Sequence, residues 1–157
     1  MNDFYKQLCL ELKALTEDCS FVTTNLANAA ALLFERLENV NWVGFYLKKD
    51  SKLLLGPFCG KPACRMISIG RGVCGTAAEK LQTIRVPDVH VFPGHIACDS
   101  ASRSELVIPI LKKGTLLGVL DIDSPFLNRF DAEDQSGLEQ IAAIVSSLSG
   151  WNTYHLL

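Results

Sequence analysis

Apolar residues recur three and four apart near the N-terminus, at Phe4, Leu8, Leu12 and Leu15, and this spacing predicts a helix over residues 3–17. The same period returns at Val22, Leu26, Ala29, Ala30, Leu33 and Leu37, predicting a second helix over 21–38. At "NWVGFYLKK" the period drops to two: Val43, Phe45 and Leu47 point one way, Trp42, Gly44 and Tyr46 the other. "KLLLGPF" and "RMISI" read as further strands, "GVCGTAAEKLQ" as a short helix opened by glycines, and "TIRV" as a short strand ended by Pro87. "SELVIPILKK" and "TLLGVLDID" flank Lys113-Gly114, a hairpin signal. "FDAEDQSGLEQIAAIVSSL" is a closing helix with Asp131 as its N-cap and Leu138, Ile141, Val145 and Leu148 on the inner face.

Hairpin-linked strands imply a mostly antiparallel sheet, and helices from both chain ends can cover one of its faces, an α+β layer. The other face is left to residues 56–103. That segment is too long for an ordinary connection, and such excursions are often functional.

A chain of 157 residues is most simply one domain, spanning 1–157. At this size roughly 70% of the unfolded surface can be buried, so stability needs no disulfide or metal staple. A net charge of −2, with no run of Lys or Arg longer than two, argues against a nucleic-acid surface. The N-terminus lacks the uninterrupted apolar core of a signal peptide, and runs such as "AAALLF" and "LVIPIL" are too short to cross a bilayer. The chain therefore reads as cytoplasmic, with no membrane partner, and its six cysteines are expected to be reduced at rest.

Three features carry candidate chemistry. Asp121 and Asp123 share one face of a strand, where they repel unless they are solvated or share a cation or proton. Trp42 and Tyr46 also share a face, with Gly44 between them leaving room; aromatics beside carboxylates can hold an ammonium group, and Glu105 could join them. Each of these also has an ordinary structural reading. The cysteines are the third feature. Cys9 and Cys19 read as core or incidental surface, and Cys59 sits in a glycine-rich turn with no assigned role. Cys64 follows Pro62. Cys74 stands where a helix begins, a position that can lower a thiol's pKa. Cys98 lies in the polar stretch "HVFPGHIACDS". His90, His95 and Cys98 raise the alternative of a metal site, but paired-ligand zinc spacing is absent and no metal is expected. A thiol nucleophile served by one or two resolving thiols fits better, since Cys64, Cys74 and Cys98 share the long excursion.

The run "GKPAC…GRGVCGTA…DVHVFPGHIACDSASRSELVIPI…GVLDIDS…F…ED" resembles the free methionine-(R)-sulfoxide reductases, stand-alone GAF-domain enzymes. The resemblance covers residues 40–140 directly, with cysteine spacings of 10 and 24. It implies a central antiparallel sheet of about six strands with terminal helices packed on one face. It implies reduction of free methionine-(R)-sulfoxide to methionine, with thioredoxin as electron donor and no bound cofactor. By the same resemblance Cys98 is the catalytic cysteine, Cys64 the resolving cysteine and Cys74 an alternative resolving thiol. Glu105, Asp121 and Asp123 are the substrate carboxylates, and Trp42 and Tyr46 the pocket aromatics. Cys59 departs from the family pattern. The implied chemistry is attack of the Cys98 thiolate on the sulfoxide sulfur, with Glu105 or Asp123 as acid, then a sulfenic acid that Cys64 converts to a disulfide. A homodimer through the terminal helices is a further implication. Two rival readings are a GAF ligand sensor without catalysis, which has no need of three pocket thiols, and a thiol redox switch, which has no use for the Trp/Tyr/Asp pocket.

Overall fold

The computed structural model describes residues 2–96 and 100–152. Helix α1 spans Asp3–Thr16 and α2 Val22–Arg36. Strands β1 (Trp42–Lys49), β2 (Lys52–Gly60) and β3 (Met66–Ser68) follow. The chain then runs through α3 (Gly72–Lys80), β4 (Ile84–Val86) and a single 3-10 turn at Val89–Val91. Strands β5 (Ser104–Lys112) and β6 (Thr115–Ser124) and helix α4 (Ala132–Ser146) complete it. The strands form one sheet in the order β3-β2-β1-β6-β5-β4, every neighbouring pair antiparallel. The expected α+β layering is present.

Local chemistry explains the elements. Lys113 and Gly114 both have positive φ, +51° and +78°, the two left-handed positions that a tight hairpin between right-twisted strands requires. Asp131 caps α4 in a reciprocal pair: its side chain accepts from the Asp134 amide at 2.8 Å, and the Asp134 carboxylate accepts from the Asp131 amide at 2.9 Å. The α1 stripe differs from the expected one. Phe4 and Leu15 are exposed, and Tyr5, Leu8, Cys9, Leu12 and Thr16 face inward. Thr16 is tolerated there because its hydroxyl donates to the Leu12 carbonyl at 2.8 Å, and Tyr5 because its hydroxyl donates to Asp134 at 2.5 Å.

The sheet separates two cores. On one face Val43, Phe45, Leu106, Ile108, Ile110, Leu120 and Ile122 pack against α1, α2 and α4. On the other, Trp42, Tyr46, Leu53, Val107 and Val119 pack under α3 and the loops around it. Cys59 lies within β2, not in a turn. It pairs with Val43 and packs against the helix-side core. No helix among the described residues is long and apolar enough to cross a membrane.

Candidate active site

Directly opposed residues of antiparallel strands share a face, so register alone gathers the acidic group. Trp42 of β1 stands opposite Asp123 of β6, which stands opposite Glu105 of β5. In the next row Gly44 opposes Asp121 and Asp121 opposes Val107. Three carboxyls and an indole thus lie side by side on the α3 face. Gly44 is required here: a Cβ would strike the Trp42 ring, which folds back over that position. The Trp42 ring stacks on Tyr46 (centroids 6.0 Å) and on Phe58 (5.2 Å).

Around this face is a small pocket, with about 30 Å³ open to the centre of a water molecule. Trp42, Tyr46, Cys74, Glu105, Asp121 and Asp123 line it. The sequence pattern missed Pro62, Ala63, Ile67 and Arg71 as wall residues, since hydrophobic period says nothing about which loop folds over a sheet. His95, Ile96 and Ser102 also reach the pocket. His90 does not line it; it is exposed and pairs with Asp88 at 3.1 Å. Cys98 lies outside the described residues. Cys64 is disulfide-bonded, unlike the fully reduced set expected from the sequence, whereas Cys9, Cys19, Cys59 and Cys74 carry free thiols.

The electrostatics are those of acids without enough water. Burial, then the charge of Asp123, pushes Glu105 up to about 8. Burial and the neighbouring Glu105 push Asp121 well above the usual carboxylate range. One oxygen of Asp121, Oδ1, is buried with no hydrogen-bond partner among the described residues. The Cys74 Sγ lies 4.0 Å from Glu105 Oε1. Burial, then the charges of Asp121, Glu105 and Asp123, raises this thiol well above its usual value. The expectation of a helix-activated thiolate at Cys74 is thus overturned: the third residue of α3 feels the helix dipole, but desolvation and carboxylates outweigh it. His95 Nε2 sits 3.7 Å from Glu105, and its burial lowers its pKa, so it offers the acids a weak counter-charge. Cys74, Glu105 and Asp121 each present a ligand atom within 4.8 Å of the others, so among the described residues they form a group that could take a metal ion.

The pocket is therefore a small, buried, acidic site with one aromatic wall, suited to a compact cationic guest. The GAF domain family model matches residues 22–147, and the chain belongs to that family. It is 51% identical over 154 residues to the free methionine-R-sulfoxide reductase of Escherichia coli, covering 98% of this chain and 93% of the relative. A solved structure of fRMsr of Staphylococcus aureus in complex with substrate is 47% identical with a TM-score of 0.88, covering 93% of this chain and 95% of that one. The free methionine-R-sulfoxide reductase from Neisseria meningitidis, solved in complex with its substrate, is 43% identical with a TM-score of 0.87, covering 90% and 86%. Within the GAF family, the chain belongs with the free methionine-R-sulfoxide reductases.

Proposed function

We propose that this chain reduces free methionine-(R)-sulfoxide to methionine by thiol chemistry. The observation that carries the reading is the pocket: stacked aromatics beside three carboxyls on one sheet face, in a chain half identical to an enzyme named for that activity. The substrate ammonium meets Asp121, Glu105 and Asp123, and supplies a donor to the partnerless Asp121 oxygen. Its apolar end lies against Trp42 and Tyr46.

Cys98 is the nucleophile in this scheme. Ile96 and Ser102, on either side of it in the chain, both line the pocket, which supports the assignment. The thiolate attacks the sulfoxide sulfur, and Glu105 or Asp123 protonates the oxygen as it leaves sulfur. Glu105 suits the task because it holds its proton at neutral pH. The net step moves one oxygen onto the Cys98 sulfur: the substrate gains two electrons and leaves as methionine, and the thiol becomes a sulfenic acid. Cys64 then condenses with that acid, releasing water and forming a disulfide; a disulfide-bonded Cys64 supports this role. Cys74 is the alternative resolving thiol. Thioredoxin, available in a reducing cytoplasm, returns two electrons and two protons by exchange.

The test is NADPH consumption with thioredoxin, thioredoxin reductase and free methionine sulfoxide. Sulfoxide-dependent consumption is expected, and Cys98→Ser is expected to abolish it with the fold intact. Tight binding without turnover would favour the sensor reading. Consumption driven by peroxide and indifferent to the sulfoxide would favour the redox switch.

A further inference from the structure

Each of the two pocket aromatics carries one hydrogen-bond donor, and both donors go to the same stretch of chain. Trp42 Nε1 donates to the Lys61 carbonyl at 3.0 Å. The Tyr46 hydroxyl donates to the Cys64 carbonyl at 2.8 Å. This stretch, residues 61–65, joins β2 to β3 and belongs to neither helix nor strand. Pro62 and Ala63 within it line the pocket. Its path is fixed at the start by Gly60, whose φ of +134° and lack of a Cβ let the backbone pass against the Trp42 indole and the Asn41 carbonyl. The donors are dependable. Burial and then the charge of Asp121 push the Tyr46 phenol upward, so it keeps its proton. The Tyr46 ring is braced by Trp42, which is braced in turn by Phe58.

We infer that Trp42 and Tyr46 are positioning residues for Cys64: the bonds seen with Cys64 in its disulfide hold residues 61–64 at the pocket rim, where the closed product needs them, so that resolution follows promptly on oxygen transfer. The inference rests on the proposed role of Cys64. The step concerned is Cys98–SOH plus Cys64–SH giving the disulfide and water. The attacking sulfur must approach the sulfenic sulfur opposite its oxygen, and a carbonyl pinned on Cys64 itself narrows where that residue's Sγ can swing. Two walls of the substrate pocket are therefore also the anchors of the second chemical step, acting through the backbone carbonyls of Lys61 and Cys64.

The test uses Tyr46→Phe, which keeps the ring and removes one O–H. Enzyme is given one equivalent of methionine sulfoxide without reductant. Methionine release, sulfenic acid (as its dimedone adduct and as a mass gain of one oxygen) and disulfide are followed in time. Disulfide closure is expected to slow about fivefold relative to methionine release, the scale of one net hydrogen bond, with sulfenic acid accumulating accordingly. In a Cys64→Ser background the same change should not lengthen the life of the sulfenic acid further, because its effect runs through Cys64. Trp42→Phe, which drops the bond to Lys61, should produce the same imbalance and serves if Tyr46→Phe folds poorly. Closure that keeps pace with methionine release in both variants overturns the inference. So does an equal gain in sulfenic acid without Cys64. A wild-type enzyme that releases no methionine overturns the proposed function itself, and is recognised by the missing first turnover.

Discussion

Two carboxyls two residues apart on one strand would repel if both were ionised, and Glu105 beside them would make it worse. The fold answers by keeping protons. Glu105 binds its proton up to about pH 8, whereas in the unfolded chain it loses it in the ordinary carboxylate range. Between those values the folded state holds more protons at Glu105, so this contribution to stability falls as pH rises and is lost above about 8. The expected outcome is a Tm that declines from about pH 5 to about pH 8 and a flatter profile for Glu105→Gln, read by thermal melts in matched buffers. A cationic guest relieves the same repulsion. N-acetyl-methionine sulfoxide lacks the ammonium charge, and its kcat/KM is expected to be at least about tenfold below that of the free amino acid, since a charge-assisted contact is worth roughly 1.5–3 kcal/mol. Asp121→Asn should narrow that gap; ratios unchanged by the substitution would remove Asp121 from ammonium recognition. Trp42, Tyr46, Asp121 and Asp123 could be placed on strand faces from alternation alone, and that much of the pocket was legible in the sequence. The protonation of Cys74 was not. Its helix position is local, but the carboxyls that reverse its electrostatics come from β5 and β6, far along the chain.

Among the elements, strands and hairpin were readable because alternation and the Lys113-Gly114 signal are local. The α1 face was misread because its periodicity tolerates two stripes, and the winning one contains Tyr5 and Thr16, whose polar groups find partners only in the folded chain. The contact between α1 and α4 depends on one glycine. A Cβ at Gly137 would press into the Tyr5 ring, and the ring cannot swing away freely because its hydroxyl is held by Asp134. Gly137→Ala sets two effects against each other. Helix propensity gains about 1 kcal/mol, while overpacking a fixed aromatic costs about 1–3 kcal/mol. Overpacking should prevail, with Tm lowered by about 4 °C. Tyr5→Ala should remove the penalty, so that Gly137→Ala becomes stabilising in that background.

At the scale of the molecule the sheet is a partition between a helical core and a chemical one. Cys59 falls on the helical side, packed against that core, so Cys59→Ser is expected to leave thioredoxin-driven cycling within about twofold of wild type. A large loss would mean that disulfide exchange crosses the sheet edge. On the other side, Glu105 holds its proton at neutral pH, and the Asp121 carboxyl is pushed the same way, only while α3 and the loops around it exclude water. Each opening of that cover exposes groups that ionise at neutral pH, and each closing must gather those protons again. The cover is thus latched by hydrogen ions, and alkali should loosen it first. Amide exchange in α3, corrected for its intrinsic base dependence, should quicken relative to α1 between about pH 6 and about pH 8, and occupancy of the pocket by a cation should restore the latch without the protons.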